Sequence, residues 1–188
     1  MSTTETELKF KLTAFPHVET TPSTLTQTYI DFNADVKNMV ELLFGFTFTW
    51  SNIKEIRVRE KIYLDSLSYT LTLKSDGTLD RDEYEIKINK SDYDSLLSYP
   101  KLGTINKLRH TALLPVTQLI VELDKYNGNL RGLYIAEVEY NKNDYPDNTV
   151  IVNDLKELLG KDIVDVTYDP KYKNRSLAKM ICLTELSN

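Results

Sequence analysis

From Glu5 to Leu12 the chain reads ETELKFKL, alternating charged and apolar side chains almost residue by residue. Successive side chains of a β-strand point to opposite faces, so Glu5, Glu7, Lys9 and Lys11 share one face and Leu8, Phe10 and Leu12 the other. The pattern returns in KEIRVREK, with Arg57, Arg59 and Lys61 opposite Ile56 and Val58. YTLTLKS sets Thr72 and Lys74 against Leu71 and Leu73, and RDEYEIKI sets Arg81, Glu83, Glu85 and Lys87 against Tyr84, Ile86 and Ile88. NKLRH carries Lys107 and Arg109, VELDKY carries Glu122 and Asp124, and AEVEY carries Glu137 and Glu139. Each segment has the two-residue period of a strand with one buried face.

Turn signals separate these strands. SDG (Ser75 to Gly77) and YNGN (Tyr126 to Asn129) read as hairpin turns, where glycine accepts positive φ at little cost. Helical spacing runs from Asn33 to the glycine stop at Gly45. A second helix is expected from a capping box at Ser91 and Asp94 to a stop before Pro100. A third covers Val152 to Gly160, and a last one starts near Lys173. No repeat, linker or low-complexity block interrupts the 188 residues, so one domain over 1–188 is expected.

Seven or eight antiparallel strands with alternating faces and a few helices predict a closed or nearly closed barrel. The charged face of those strands holds ten cations (Lys9, Lys11, Arg57, Arg59, Lys61, Lys74, Arg81, Lys87, Lys107, Arg109) and eight carboxylates (Glu5, Glu7, Glu83, Glu85, Glu122, Asp124, Glu137, Glu139). A solvated sheet face would dilute charge with Thr, Ser and Gln, and here nearly every position is ionisable. The amphipathic helices also need an apolar surface to cover, which the Leu, Ile and Val face supplies on the outside. The charges then line the lumen, a costly arrangement unless ions, water or ligand compensate it. Arginine forks match phosphate oxygens, and carboxylates two residues apart suit hard divalent cations such as Mg²⁺ or Mn²⁺.

Composition narrows the classes. A net charge of −5 argues against a general nucleic-acid coat, and two histidines with one cysteine, Cys182, argue against a zinc site or disulfide framework. No secretory signal or apolar run of spanning length is visible, so a cytoplasmic protein without membrane contact is expected. His17 reads as a surface residue, His110 as facing away from Arg109, and Trp50 as packing rather than a base-stacking platform.

ETELK resembles the E-x-E-x-K signature of the CYTH superfamily, the triphosphate tunnel metalloenzymes. The resemblance continues in order through QTYID, IRVR, TLTLK, RDEYEIKI, KLR, ELDKYNGNLRGLYIAEVEY and DVTYDPKYKNRSLA. One such signature is weak, and eight in register are strong. The resemblance implies an α+β chain built on an eight-stranded antiparallel β-barrel, a tunnel with a triphosphate at its centre. Glu5, Glu7, Glu122, Asp124, Glu137 and Glu139 would hold Mg²⁺ or Mn²⁺. Lys11, Arg57, Arg59, Lys74, Arg81, Lys107, Arg109 and Arg175 would grip phosphate. Lys9 and Tyr29 would form a catalytic pair, the lysine losing proton affinity among other cations and so acting as base. Glu83 and Glu85 would orient the basic residues, and Tyr172, Asn174 and Arg175 would cover the tunnel mouth.

Three activities fit this equipment. One is hydrolysis of a terminal phosphate from tripolyphosphate, a nucleoside triphosphate, thiamine triphosphate or a 5′-triphosphate RNA end. Another is class IV-type adenylyl cyclase chemistry, and the third is non-catalytic binding, which would not need the carboxylates. Lys9 together with Tyr29 favours hydrolysis, by a monomer or homodimer.

Overall fold

The computed structural model describes residues 3–77 and 79–186. The side chains of Thr3, Glu5, Cys182 and the residues beyond it lie outside the described residues. The strands are β1 (Thr3–Leu12), β2 (Ser23–Ile30), β3 (Ile53–Tyr63), β4 (Ser66–Ser75), β5 (Asp80–Ile88), β6 (Lys101–Leu113), β7 (Ile120–Tyr126), β8 (Tyr134–Glu139) and β9 (Ile163–Asp165). The helices are α1 (Ala34–Phe44), α2 (Lys90–Leu97), α3 (Thr149–Leu159) and α4 (Asn174–Leu186). The sheet runs β5-β4-β3-β2-β6-β7-β8-β1-β9, and β1 also pairs with β5, which closes eight strands into an antiparallel barrel. β1 manages three partners by dividing its length: Thr3–Thr6 pair with β5, while Phe10–Leu12 pair with the extra strand β9.

Outside the barrel the apolar faces find cover as the alternation requires. Ile56, Val58, Leu71 and Leu73 pack with Val36 and Val40 of α1 and Leu96 of α2. Leu8, Phe10, Val121, Leu123 and Val138 pack with Ile151 and Leu155 of α3. Trp50 belongs to the first of these layers, edge-on to Phe32 and donating its indole N–H to Glu41 at 2.7 Å, so it serves packing.

Helix ends follow local chemistry, with two differences from expectation. Asn33 caps α1 by accepting from the Val36 N–H at 2.8 Å, and Gly45 ends it in the left-handed region at φ 76°. α2 begins earlier than the Ser91 box suggests, because Asn89 takes the cap, accepting from the Asp92 N–H at 2.9 Å. α3 likewise starts at Thr149, ahead of Val152. It is fastened to the β6–β7 connection by the buried Asp154, which accepts from Val116 N–H at 3.0 Å and from Thr117 N–H and Oγ1–H at 2.7 Å each. Burial alone would raise the Asp154 pKa, but the bonds from Thr117 and Val116 outweigh it and hold the carboxyl below its ordinary value. A lowered folded value means stability present above the unfolded pKa and lost as pH falls through the folded one. Asp154→Asn should therefore flatten the acid limb of a melting-temperature profile below about pH 4. An unchanged acid limb would contradict this fastening role.

The lumen is not polar throughout. Tyr29, Ile105, Tyr126 and Ile135 stand in register with the inward-facing charges of their strands, yet they form an apolar layer against Leu177 and Ala178 of α4. That layer floors the barrel at one end. Gly103 lets the helix come this close, since a Cβ there would meet the Ala178 carbonyl oxygen at 2.1 Å on a backbone at φ 148°. Gly103→Ala should cost on the order of 1–3 kcal/mol or more, read as a lower melting temperature. A variant as stable as the parent would rule out tight docking of α4.

Candidate active site

Above the apolar floor lies a cavity of about 220 Å³ whose lining side chains are all charged or amide. Strand register decides which charges meet there. On one wall β3 presents Arg57 and Arg59, opposite Thr72 and Thr70 of β4, and β4 in turn faces Glu83, Glu85 and Lys87 of β5. Arg59 Nη2 lies 3.1 Å from Glu85, and Arg57 donates to Thr72 Oγ1 at 3.2 Å, which donates onward to Glu85 at 2.8 Å. Lys74 pairs with Glu83 at 2.5 Å. Glu83 and Glu85 thus hold the basic residues in place. Neither Arg57 Nε nor Arg59 Nε has a hydrogen-bond partner among the described residues, although both are buried. Burial and the neighbouring Arg57 lower the Arg59 pKa, which remains a cation at any physiological pH.

The opposite wall is organised around Arg109. It donates from Nε to Asp124 at 2.7 Å and from Nη2 to Asp124 at 2.6 Å and Glu137 at 2.7 Å, and its Nη1 bonds Glu122. Beneath it, fully buried, Lys107 pairs with Asp124 over the Tyr126 ring. Burial and the charge of Arg109 push the Lys107 pKa down, while burial pushes that of Glu122 up. Glu137 goes the other way: burial would raise it, but Lys9, Lys107 and Arg109 hold it well below the usual carboxylate range. Glu7 faces Glu139 directly across the β1–β8 ladder, and Glu122 faces Glu137 across β7–β8.

Of the residues singled out in the sequence, Glu7, Arg57, Arg59, Lys74, Arg81, Arg109, Glu122, Glu137 and Glu139 line this cavity. Lys107 and Asp124 do not; they neutralise each other below it. Lys11 is exposed at the far end of β1, as are Lys61 and Lys87 on their strands, and Arg175 sits on α4 without lining the cavity. Tyr29 belongs to the floor, and Lys9 borders a small cleft with Arg81, Thr167, Asp169 and Lys173. The expectation that neighbouring cations strip Lys9 of its proton is not met. Burial favours the neutral form, but Glu137 at 2.8 Å and Glu7 at 3.2 Å outweigh it and hold the pKa above the ordinary lysine value. Burial, with Glu55 nearby, raises the Tyr29 phenol as well. Both shifts run against use as a base at neutral pH.

The C-terminal motif covers one end of the barrel, where α4 packs on the apolar layer, and Asn174 reaches into the cavity, accepting from the Tyr126 hydroxyl at 2.5 Å. The open end lies where Glu83 and Glu139 also border an outer groove of about 820 Å³. Gln27 lines the cavity and was missed, though it stands two residues before Tyr29 on the same face of β2.

Among the described residues, no group of three or more carboxylate, histidine or cysteine side chains is gathered closely enough to hold a metal ion. Arg109 and Lys9 stand between the carboxylates. The donor set nevertheless suits a hard cation, being all oxygen and arranged as two like-charged pairs facing across strand ladders.

No protein-family model matches the chain. It is 31% identical over 178 residues, 95% of this chain and 99% of the other, to an inorganic triphosphatase of Nitrosomonas europaea. The crystal structure of the inorganic triphosphatase NE1496 aligns with a TM-score of 0.53 at 28% identity, over 93% of this chain and 94% of that one. PH1819 from Pyrococcus horikoshii OT3 shares the fold with a TM-score of 0.59 at 19% identity, covering 96% of this chain and 99% of that one.

Proposed function

The chain belongs to the CYTH superfamily of triphosphate tunnel proteins, and from that premise we propose that it hydrolyses the terminal phosphate of a compact triphosphate, inorganic tripolyphosphate first, with Mg²⁺ or Mn²⁺. The observation that carries the reading is the cavity itself: Arg57, Arg59, Lys74, Arg81 and Arg109 converge on a chamber whose lining, among the described residues, is wholly charged or amide. Its volume of about 220 Å³ lies below the roughly 300–1,000 Å³ of pockets for drug-sized organic ligands. A nucleobase would want an aromatic or apolar surface, and Trp50 is committed to the outer layer.

In this reading Arg57 and Arg59 take the phosphate oxygens, with Lys74 and Arg81 beside them. The apolar floor and α4 stop the chain of phosphates and exclude water from below. Water attacks the terminal phosphorus in line, the bridging P–O bond breaks, pyrophosphate leaves with the electron pair, and the water's proton passes to solvent. Such transfer asks for little covalent chemistry from the protein, so positioning and charge stabilisation carry the rate, and Lys9 contributes as a fixed cation. A divalent cation held by Glu7 and Glu139, with Glu122 or Glu137, would neutralise charge on the phosphate oxygens.

The test is a product assay with tripolyphosphate and with ATP, each with Mg²⁺ or Mn²⁺. Orthophosphate release from tripolyphosphate is expected. Cyclic AMP with pyrophosphate from ATP would replace this reading with a cyclase, and binding without turnover would reduce the protein to an anion-binding module. Arg59→Ala should weaken triphosphate binding by about 1.5–3 kcal/mol, a charge-assisted bond's worth. Unchanged binding in a calorimetric titration would remove Arg59 from the site. Among the described residues no helix is long and apolar enough to cross a membrane, and the single cysteine suits a reducing compartment such as the cytoplasm.

A further inference from the structure

We infer that Arg109 couples cation binding to triphosphate binding: the carboxylates that would receive a divalent cation hold the guanidinium until a cation replaces it. The inference rests on the triphosphatase reading above. A guanidinium has five N–H donors. Arg109 spends one from Nε and one from Nη2 on Asp124, another from Nη2 on Glu137 and one from Nη1 on Glu122. Arg57 and Arg59, in the same cavity, keep buried Nε donors without a hydrogen-bond partner among the described residues. The cavity therefore contains two kinds of arginine. The β3 pair is held beside one carboxylate, Glu85, and Arg109 is engaged by three.

Glu122 and Glu137 face each other in register, and between them stands a monovalent, weakly hydrated cation of the wrong kind for a hard-oxygen site. A divalent cation must compete with Arg109 for these oxygens. Once it wins, the guanidinium is released beside the phosphate chain. Because linkage is reciprocal, a triphosphate that draws Arg109 away improves the cation site by the same factor. Each ligand alone binds below its capacity. Arg109 thus guards against loading the chamber with only one of the two.

Mn²⁺ alone, followed by the electron paramagnetic resonance of the free ion, tests the competition in the full chain. Arg109→Lys and Arg59→Lys both keep the net charge, so a general electrostatic effect would move them equally. Arg109→Lys should bind Mn²⁺ at least fivefold more tightly than the parent, and Arg59→Lys within twofold of it. In metal-free buffer with chelator, calorimetry should show tripolyphosphate affinity within threefold of the parent for Arg109→Lys and at least fivefold weaker for Arg59→Lys. Should Arg109→Lys fail to fold, Glu122→Gln loosens the same guanidinium from a half-buried position. It should tighten metal-free tripolyphosphate binding at least threefold. Equal Mn²⁺ shifts in both lysine variants, or no gain from Glu122→Gln, overturn the coupling while leaving the triphosphatase reading in place. Failure of the parent to bind or cleave tripolyphosphate even with Mn²⁺ overturns both.

Discussion

Glu7→Gln is expected to lower metal-dependent turnover by on the order of 10²–10³-fold, the scale set by loss of a single preorganised charge-stabilising group. The amide keeps the shape of the side chain and removes only its charge and part of its basicity. Glu7 faces Glu139 across the β1–β8 ladder, where two like charges repel unless a cation sits between them. It also lies 3.2 Å from Lys9, which keeps its shorter contact of 2.8 Å to Glu137 in the variant. The fold should accordingly survive, with a melting temperature near that of the parent and a weaker response to added Mn²⁺. A variant that turns over tripolyphosphate at the parental rate would take Glu7 out of the metal site.

Asp124→Ala should be the most destabilising of the single changes considered, by about 3–5 kcal/mol, the cost of stranding one partner of a buried ion pair. Asp124 is fully buried, and it is the partner of Lys107, itself without solvent exposure, as well as the two-point acceptor for Arg109. Removing it strands the Lys107 charge beneath Arg109, which keeps Glu122 and Glu137. Burial and Arg109 already lower the Lys107 pKa, and the variant removes the chief opposing charge. A lysine whose folded pKa lies below its unfolded value weakens the fold while it must carry a proton, so the deficit should narrow as pH rises toward 10. Thermal unfolding across that range measures it. A loss below about 1 kcal/mol would mean that the pair is not structural.

Individual residues show where sequence reasoning stops. Asn33 and Gly45 bound α1 as their chemistry suggests, because a cap and a left-handed stop are local events. Ser91 misled because Asn89, two residues earlier, offers the better acceptor. β9 is only three residues long and exists because β1 leaves β5 and exposes a free length of edge, which no local pattern announces. The apolar floor was written in the chain at Tyr29, Ile105, Tyr126 and Ile135, each one step beyond a charged or amide residue on the same face. Its meaning came only with α4, which covers it.

Alternation by twos was enough to say that these strands have a greasy face for helices and an ionisable face to enclose, since the pleat of a single strand enforces that division. It could not say which charges would remain available. That depended on an order in which β2 meets β6 and β1 closes on both β8 and β5, bringing Arg109 against three carboxylates and setting Arg57 and Arg59 beside Glu85. Cross-strand register joins residues distant in sequence, and the energy of a buried charge is set by the neighbour it meets there.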